Sequence, residues 1–271
     1  RLGDTVARLG GDEFALLVED LDDSLEAGHV SRRVLDALRE PFLVQGRQIP
    51  LRASIGIAVS AERGADVDDL LRDADVAMYV AKQRGGARAL TYDPSMRAGV
   101  AERLDLEMEL RRAISAHDLQ VHYQPTVDLS TGAIVGAEAL LRWPHATRGN
   151  IPPDMFIPLA EETGLIVPLG WWVLERACEL ATAWPELPNG ELVQVAVNLS
   201  ARQLAAPELH DVVATVLERT GLEPDRLCFE ITESDLVHDV EGAKAALRRL
   251  KDLGVKLAID DFGTGYASLE Y

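Results

Sequence analysis

The chain has 271 residues, 47% of them hydrophobic, enough for two compact cores at roughly 150 residues per domain, which excludes a disordered or collagen-like chain. Its 27 Lys and Arg stand against 45 Asp and Glu, a formal charge of -18 that disfavours DNA and RNA as partners. A small anionic ligand stays open, because carboxylates gathered in a pocket can hold divalent cations that invert the local field. Cys178 and Cys228 lie in apolar runs and read as reduced core residues. The longest uncharged apolar stretch, 163–174, is broken by Pro168 and Gly170 and falls short of the roughly 20 residues that span a bilayer. The sequence opens on Arg1 and closes on Tyr271 within an apparent loop, which reads as a fragment cut at both ends.

Residues 6–18 form two β-favouring runs around Gly10-Gly11-Asp12-Glu13, a hairpin with acidic residues at its tip. A helix presenting Val30, Val34, Leu35 and Leu38 should come next and stop before Pro41. Residues 52–59 read as a strand, 68–83 as a helix ending at Gly85-Gly86, and 87–92 as a last strand. From 94 to 118 the pattern turns helical, with Leu104, Leu106, Leu110 and Ile114 apolar, so the expected division is 1–92, a connecting helix at 93–117, and 118–271. Strands are expected at 119–127, 134–141, 192–198, 226–232 and 255–260, with helices at 154–162, 168–183, 207–219 and 238–253. Such strand-helix repetition implies an α/β unit with a mainly parallel sheet or a barrel.

Four of those strands carry an oxygen donor at or near the expected carboxyl end: Glu138, Asn198, Glu230 and the pair Asp260-Asp261. In a βα barrel these ends converge on one mouth, where active sites lie. Hard oxygen donors without Cys or His suit Mg²⁺ or Mn²⁺ rather than zinc, and adjacent aspartates help to place two ions close together for phosphoryl displacement. Any one of these carboxylates is equally well explained as a helix cap or a solvated charge. Four in successive strands shift the balance. Asp260-Asp261, after Leu257-Ala258-Ile259, would bring two like charges to the mouth without compensation, and a cation removes that conflict.

The second part resembles the EAL domain family of cyclic di-GMP phosphodiesterases in five ordered blocks. These are Tyr123-Gln124-Pro125, Glu138-Ala139-Leu140-Leu141-Arg142-Trp143, Val197-Asn198-Leu199-Ser200, Phe229-Glu230-Ile231-Thr232-Glu233-Ser234 and Asp260-Asp261-Phe262-Gly263-Thr264-Gly265-Tyr266. The resemblance implies a TIM-like βα barrel of which this chain carries a part. It implies that Glu138, Asn198, Glu230 and Asp260 bind one metal ion, and that Asp261 helps to hold a second and orients the attacking water. It further implies that Gln124 contacts a guanine, that Arg142 contacts a phosphate and that Glu233 stabilises the glycine loop 262–266. Arg142 also reads as a salt-bridge partner or, on geometry alone, as a fork for phosphate. The family's lysine, general-base glutamate and later glutamine fall beyond Tyr271, so these 271 residues alone are expected to turn over little substrate.

Residues 1–92 resemble the C-terminal half of a GGDEF domain, the diguanylate cyclase family, through Gly10-Gly11-Asp12-Glu13-Phe14, Ser54-Ile55-Gly56-Ile57-Ala58 and 74–82. By that resemblance Asp12 binds metal, Glu13 supports the site, Lys82 contacts phosphate, and Arg1 with Asp4 forms an inhibitory product site. Position 86 is Gly where the family places a phosphate-contacting Arg. The expected parent is a bacterial GGDEF-EAL signalling enzyme whose ligand is cyclic di-GMP, hydrolysed to pGpG with two Mg²⁺ or Mn²⁺ ions. A non-catalytic cyclic di-GMP receptor and a cyclase are the alternatives. The resemblance also implies pairing as a homodimer through the EAL domain and a cytoplasmic location for this segment, with an upstream membrane anchor left open.

Overall fold

A computed structural model describes residues 3–21, 24–60, 66–187, 190, 192–232 and 240–261. The chain divides into two compact units, Arg1–Asp105 and Leu106–Tyr271.

In the first unit β1 (Thr5–Gly10) and β2 (Glu13–Leu17) form an antiparallel hairpin with Gly10 opposite Glu13. Gly11 adopts φ 52, the left-handed region that favours glycine, and its carbonyl accepts from Arg8 Nε and Nη2 at 3.0 and 2.6 Å. Helix α1 (Ser24–Ala37) comes next. A hairpin not expected from the sequence then appears, β3 (Phe42–Val44) with β4 (Arg47–Ile49), joined by Gln45 and Gly46 at φ 50 and 79. Two consecutive positive φ values mark the tight turn whose twist suits a hairpin. Strand β5 (Ile55–Ile57) pairs in parallel with β6 (Ala89–Thr91) through helix α2 (Val67–Gln83), whose first turn is capped by Asp66 accepting from the Asp68 amide at 2.9 Å. Gly56 lets α2 lie directly on β5, since a Cβ there would collide with the Ala74 carbonyl.

The core of this unit is thin. Its buried residues among those described are Ser31, Ala77 and Ala81, while Val6, Leu9 and Phe14 are 71%, 60% and 66% exposed, so the first hairpin buries neither face.

Helix α3 (Pro94–Ala116) leads into the second unit. Its strands are β7 (Gln120–Val127), β8 (Ile134–His145), β9 (Gly149–Ile151), β10 (Gln194–Asn198), β11 (Leu227–Thr232) and β12 (Lys256–Asp260). The spatial order is β12-β11-β10-β8-β7, with β9 pairing β8. Strands β8, β10, β11 and β12 run parallel, as the expected mainly parallel sheet requires, while β7 is antiparallel to β8 because a short turn joins them. In that turn Asp128 accepts from the amides and hydroxyls of Ser130 and Thr131, which holds its carboxyl down at about 2.

Alternate residues settle which side is core. Ala139, Val195, Val197, Leu227, Phe229 and Ile231 are buried against α5 (Ile166–Ala181), α7 (Leu209–Thr220) and α8 (Val240–Asp252). A second cluster joins Leu106 and Leu110 of α3 to Trp143 and to Phe156 of α4 (Pro153–Thr163), with the two aromatic rings 5.5 Å apart at 84°. Between α5 and β10 the buried Arg226 donates from Nη2 to Ala181 O at 2.6 Å and from Nε to Val193 O at 3.2 Å. No described helix is long and apolar enough to cross a membrane.

Candidate active site

The opposite face of the same sheet carries the polar residues, because side chains alternate sides along a strand. Register fixes their heights. Gln124, Glu138, Ala196, Cys228 and Lys256 lie side by side across five strands. Asn198, Glu230 and Ala258 form the next row toward the strands' carboxyl ends, and Thr232 with Asp260 the row after that. Successive rows are two residues apart, about 7 Å along a strand. Glu138 therefore sits in the middle of β8, not at its end as expected, because β8 runs on to His145 and pairs with β9.

Asn198 Nδ2 donates to Glu138 Oε1 at 2.8 Å, bridging the first and second rows. Glu230 is half-buried, and its carboxyl is pushed up to about 7, first by desolvation and then by the charges of Glu138 and Asp260. Asp261 takes φ 53 and donates its amide to Asp260 Oδ1 at 2.9 Å. A left-handed aspartate at a strand's end is a strained placement of the kind found at functional sites.

The donor set fits a hard divalent cation: every candidate atom is a carboxylate or amide oxygen, and the mutual repulsion recorded at Glu230 is what a cation would relieve. The fit is one of chemistry and charge. Among the described residues no group of three His, Cys, Asp or Glu side chains stands together, and the register sets Glu138, Glu230 and Asp260 in three successive rows, with the Asn198 amide between the first two.

Gln124 stands directly opposite Glu138 on β7 and is exposed. Arg142 lies on the same strand as Glu138 with its side chain on the same sheet face, four residues on, and donates Nη1 to Leu141 O at 2.8 Å. A cavity of about 520 Å³ opens on the amino-end side of Glu230, walled by Gln194, Cys228 and Lys256. Glu233 and the loop 262–266 lie outside the described residues.

In the first unit Asp12 and Glu13 occupy the tip of the β1–β2 hairpin and are exposed, as is Lys82 in the last turn of α2. None of the three lines that unit's cavity of about 770 Å³ between α1 and the β5–β6 pair. Asp4 precedes β1 and is half-buried, while Arg1 lies outside the described residues.

Unanticipated from the sequence is a reciprocal capping box between Ser200 and Gln203 at α6 (Ala201–Leu204), directly after Asn198. The Ser-x-x-Gln spacing behind a strand is the signal that reveals it.

A mainly parallel βα sheet with carboxylates on one face and helices on the other defines an α/β domain of the βα-barrel class, joined here to a smaller α/β unit. The chain belongs to the EAL domain family, whose family model matches residues 107–271, and residues 1–88 match the model described as diguanylate cyclase, GGDEF domain. It is 42% identical over its whole length to the bifunctional diguanylate cyclase/cyclic di-GMP phosphodiesterase MucR of Pseudomonas aeruginosa, covering 39% of that protein. It is 39% identical to the cyclic di-GMP phosphodiesterase NbdA of the same organism, again over 100% of this chain, covering 34% of that one. The chain thus spans well under half the length of these curated relatives. The solved structure of the PaMucR phosphodiesterase in complex with c-di-GMP matches 60% of this chain and 66% of that one, with 46% identity and a TM-score of 0.56.

Proposed function

We propose that the protein to which these residues belong hydrolyses cyclic di-GMP to linear pGpG, using two Mg²⁺ or Mn²⁺ ions. The observation that carries this reading is the Asn198–Glu138 bond beside a Glu230 carboxyl raised first by desolvation and then by the charges of Glu138 and Asp260, which puts oxygen donors of four strands in electrostatic reach of one another. The relatives' names and the cyclic di-GMP complex of PaMucR support the choice of substrate.

Glu138, Asn198, Glu230 and Asp260 would hold the first ion, and Asp261 would share the second. When bound, the ions supply charge neutralisation at the phosphate and a more acidic water. Asp261 would orient that water toward phosphorus. Gln124 offers its amide to a guanine edge, and Arg142 can trade its Leu141 carbonyl for a phosphate oxygen. Because the product carries a 5′ phosphate, water's oxygen bonds to phosphorus, the bond from phosphorus to the 3′ oxygen breaks, and the 3′ oxygen gains a proton.

The test is hydrolysis of cyclic di-GMP by the full-length protein with Mg²⁺, monitored by chromatography. Turnover that disappears in Glu138→Ala supports the phosphodiesterase. Ligand binding without turnover overturns it in favour of a receptor.

A further inference from the structure

Asn198 closes β10, and the residues that fix the backbone immediately after it are outside the set expected to touch metal or substrate. The Leu199 amide donates to Glu230 O at 2.8 Å, tying the first residue after Asn198 to the neighbouring strand. Ser200 then caps α6. The Gln203 amide donates to Ser200 Oγ at 3.4 Å, and the Ser200 amide and hydroxyl donate to Gln203 Oε1 at 3.3 and 2.9 Å. Gln203 is only 3% exposed. Its side-chain amide is seated against Gly170 of α5, where a Cβ would stand 2.6 Å from Gln203 Cδ.

A buried amide costs free energy unless it is hydrogen-bonded, and an unbranched apolar side chain would fill the same slot without that cost. The polar choice gains a rigid Ser200 backbone two residues from Asn198. The glycine opposite is the matching half of the lock, because any side chain at position 170 displaces the amide. Asn198 has a single side-chain oxygen, and with Nδ2 committed to Glu138 that oxygen is the remaining donor for a cation.

We propose that Gln203, seated against Gly170 and bonded to Ser200, is a positioning residue that holds Asn198 in its metal-binding orientation. This rests on the phosphodiesterase reading of the same site. Groups that orient metal ligands from behind commonly change affinity by about 10–100-fold when removed.

The test uses the full-length protein stripped of metal, with Mn²⁺ binding measured by electron paramagnetic resonance and hydrolysis measured against Mn²⁺ concentration. Gln203→Met keeps the volume and removes the acceptor. Ser200→Ala removes the capping hydroxyl, and Ser200→Thr restores it. Gln203→Met and Ser200→Ala are expected to weaken Mn²⁺ binding about tenfold and to shift half-saturation of activity equally. Their kcat at saturating Mn²⁺ should change far less, and Ser200→Thr should bind as the parent does. Should Gln203→Met fail to fold, the Ser200 pair decides alone. Unchanged Mn²⁺ affinity in the variants, or a loss that Ser200→Thr shares, overturns the positioning role while leaving the phosphodiesterase standing. A parent protein that binds no Mn²⁺ overturns both.

Discussion

The bond from Asn198 Nδ2 to Glu138 Oε1 runs diagonally between strands, because the backbone register sets Glu138 beside Ala196 and Asn198 beside Glu230. It links residues 60 positions apart and reaches from one row of the sheet face to the next. Diagonal neighbours on a sheet lie within reach only of longer side chains, so a glutamate paired with an asparagine meets the geometry where two aspartates would not.

Glu138→Gln separates that structural bond from the charge. The amide oxygen still accepts from Asn198, while the repulsion felt by Glu230 drops. Without metal, the variant is expected to melt no lower than the parent. The stabilisation that the parent gains from millimolar Mn²⁺ should vanish, and thermal unfolding with and without Mn²⁺ reads both effects.

Glu230 makes the metal-free protein sensitive to pH. Its carboxyl rises from an ordinary 4.5 to about 7 on folding, so the folded state binds the proton more tightly than the unfolded one. Stability is therefore fullest below about 4.5 as far as this group is concerned and declines as pH rises through about 7. Glu230→Gln should flatten that decline in melting experiments across the range, and carboxyl NMR of Glu230 should give the midpoint directly. A variant that keeps the full slope would remove Glu230 as its source.

Much of this arrangement is legible in the sequence, and the reason is periodicity. The two-residue repeat of β10 and β11 puts Asn198 and Glu230 on the face opposite Val197 and Phe229, and no tertiary information is needed to see it. Register is different. That Glu138 lies a row below Asn198 depends on the pairing of Glu138 with Ala196 between strands distant in sequence, and its place in the middle of β8 depends on that strand continuing to His145 because β9 folds back onto it. The β3–β4 hairpin is hidden for a local reason: its turn is Gln45-Gly46, not Asn-Gly, and its strands are three residues each.

Gly56→Ala is expected to loosen the first unit by roughly 1–3 kcal/mol, the usual cost of overpacking. The added methyl meets backbone of α2 at Ala74 and Met78, which cannot rotate aside as a side chain would. Amide exchange at Ile55–Ile57 and Ala89–Thr91 should accelerate while the strands of the second unit keep their protection.

Arg226→Met should cost the second unit about 2–3 kcal/mol, because two carbonyl acceptors lose a buried charged donor. Arg226→Lys is expected to recover less than half, since one ammonium cannot reproduce the guanidinium fork across Ala181 and Val193. Urea denaturation monitored by tryptophan fluorescence reads that transition through Trp143, Trp171, Trp172 and Trp184.

The same arginine anchors a stretch of sequence at both of its ends. By gripping the carbonyls at the end of α5 and just before β10, it fastens both feet of the connection between them to the body of the unit. Extra residues inserted there would lengthen a span already anchored at its base, at a closure cost of only about 0.6 kcal/mol per doubling. The connection is, however, held as a wall of the cavity beside Glu230, to which it contributes Leu187, Gly190 and Leu192, so its length is coupled to the face that carries Glu138 and Asn198.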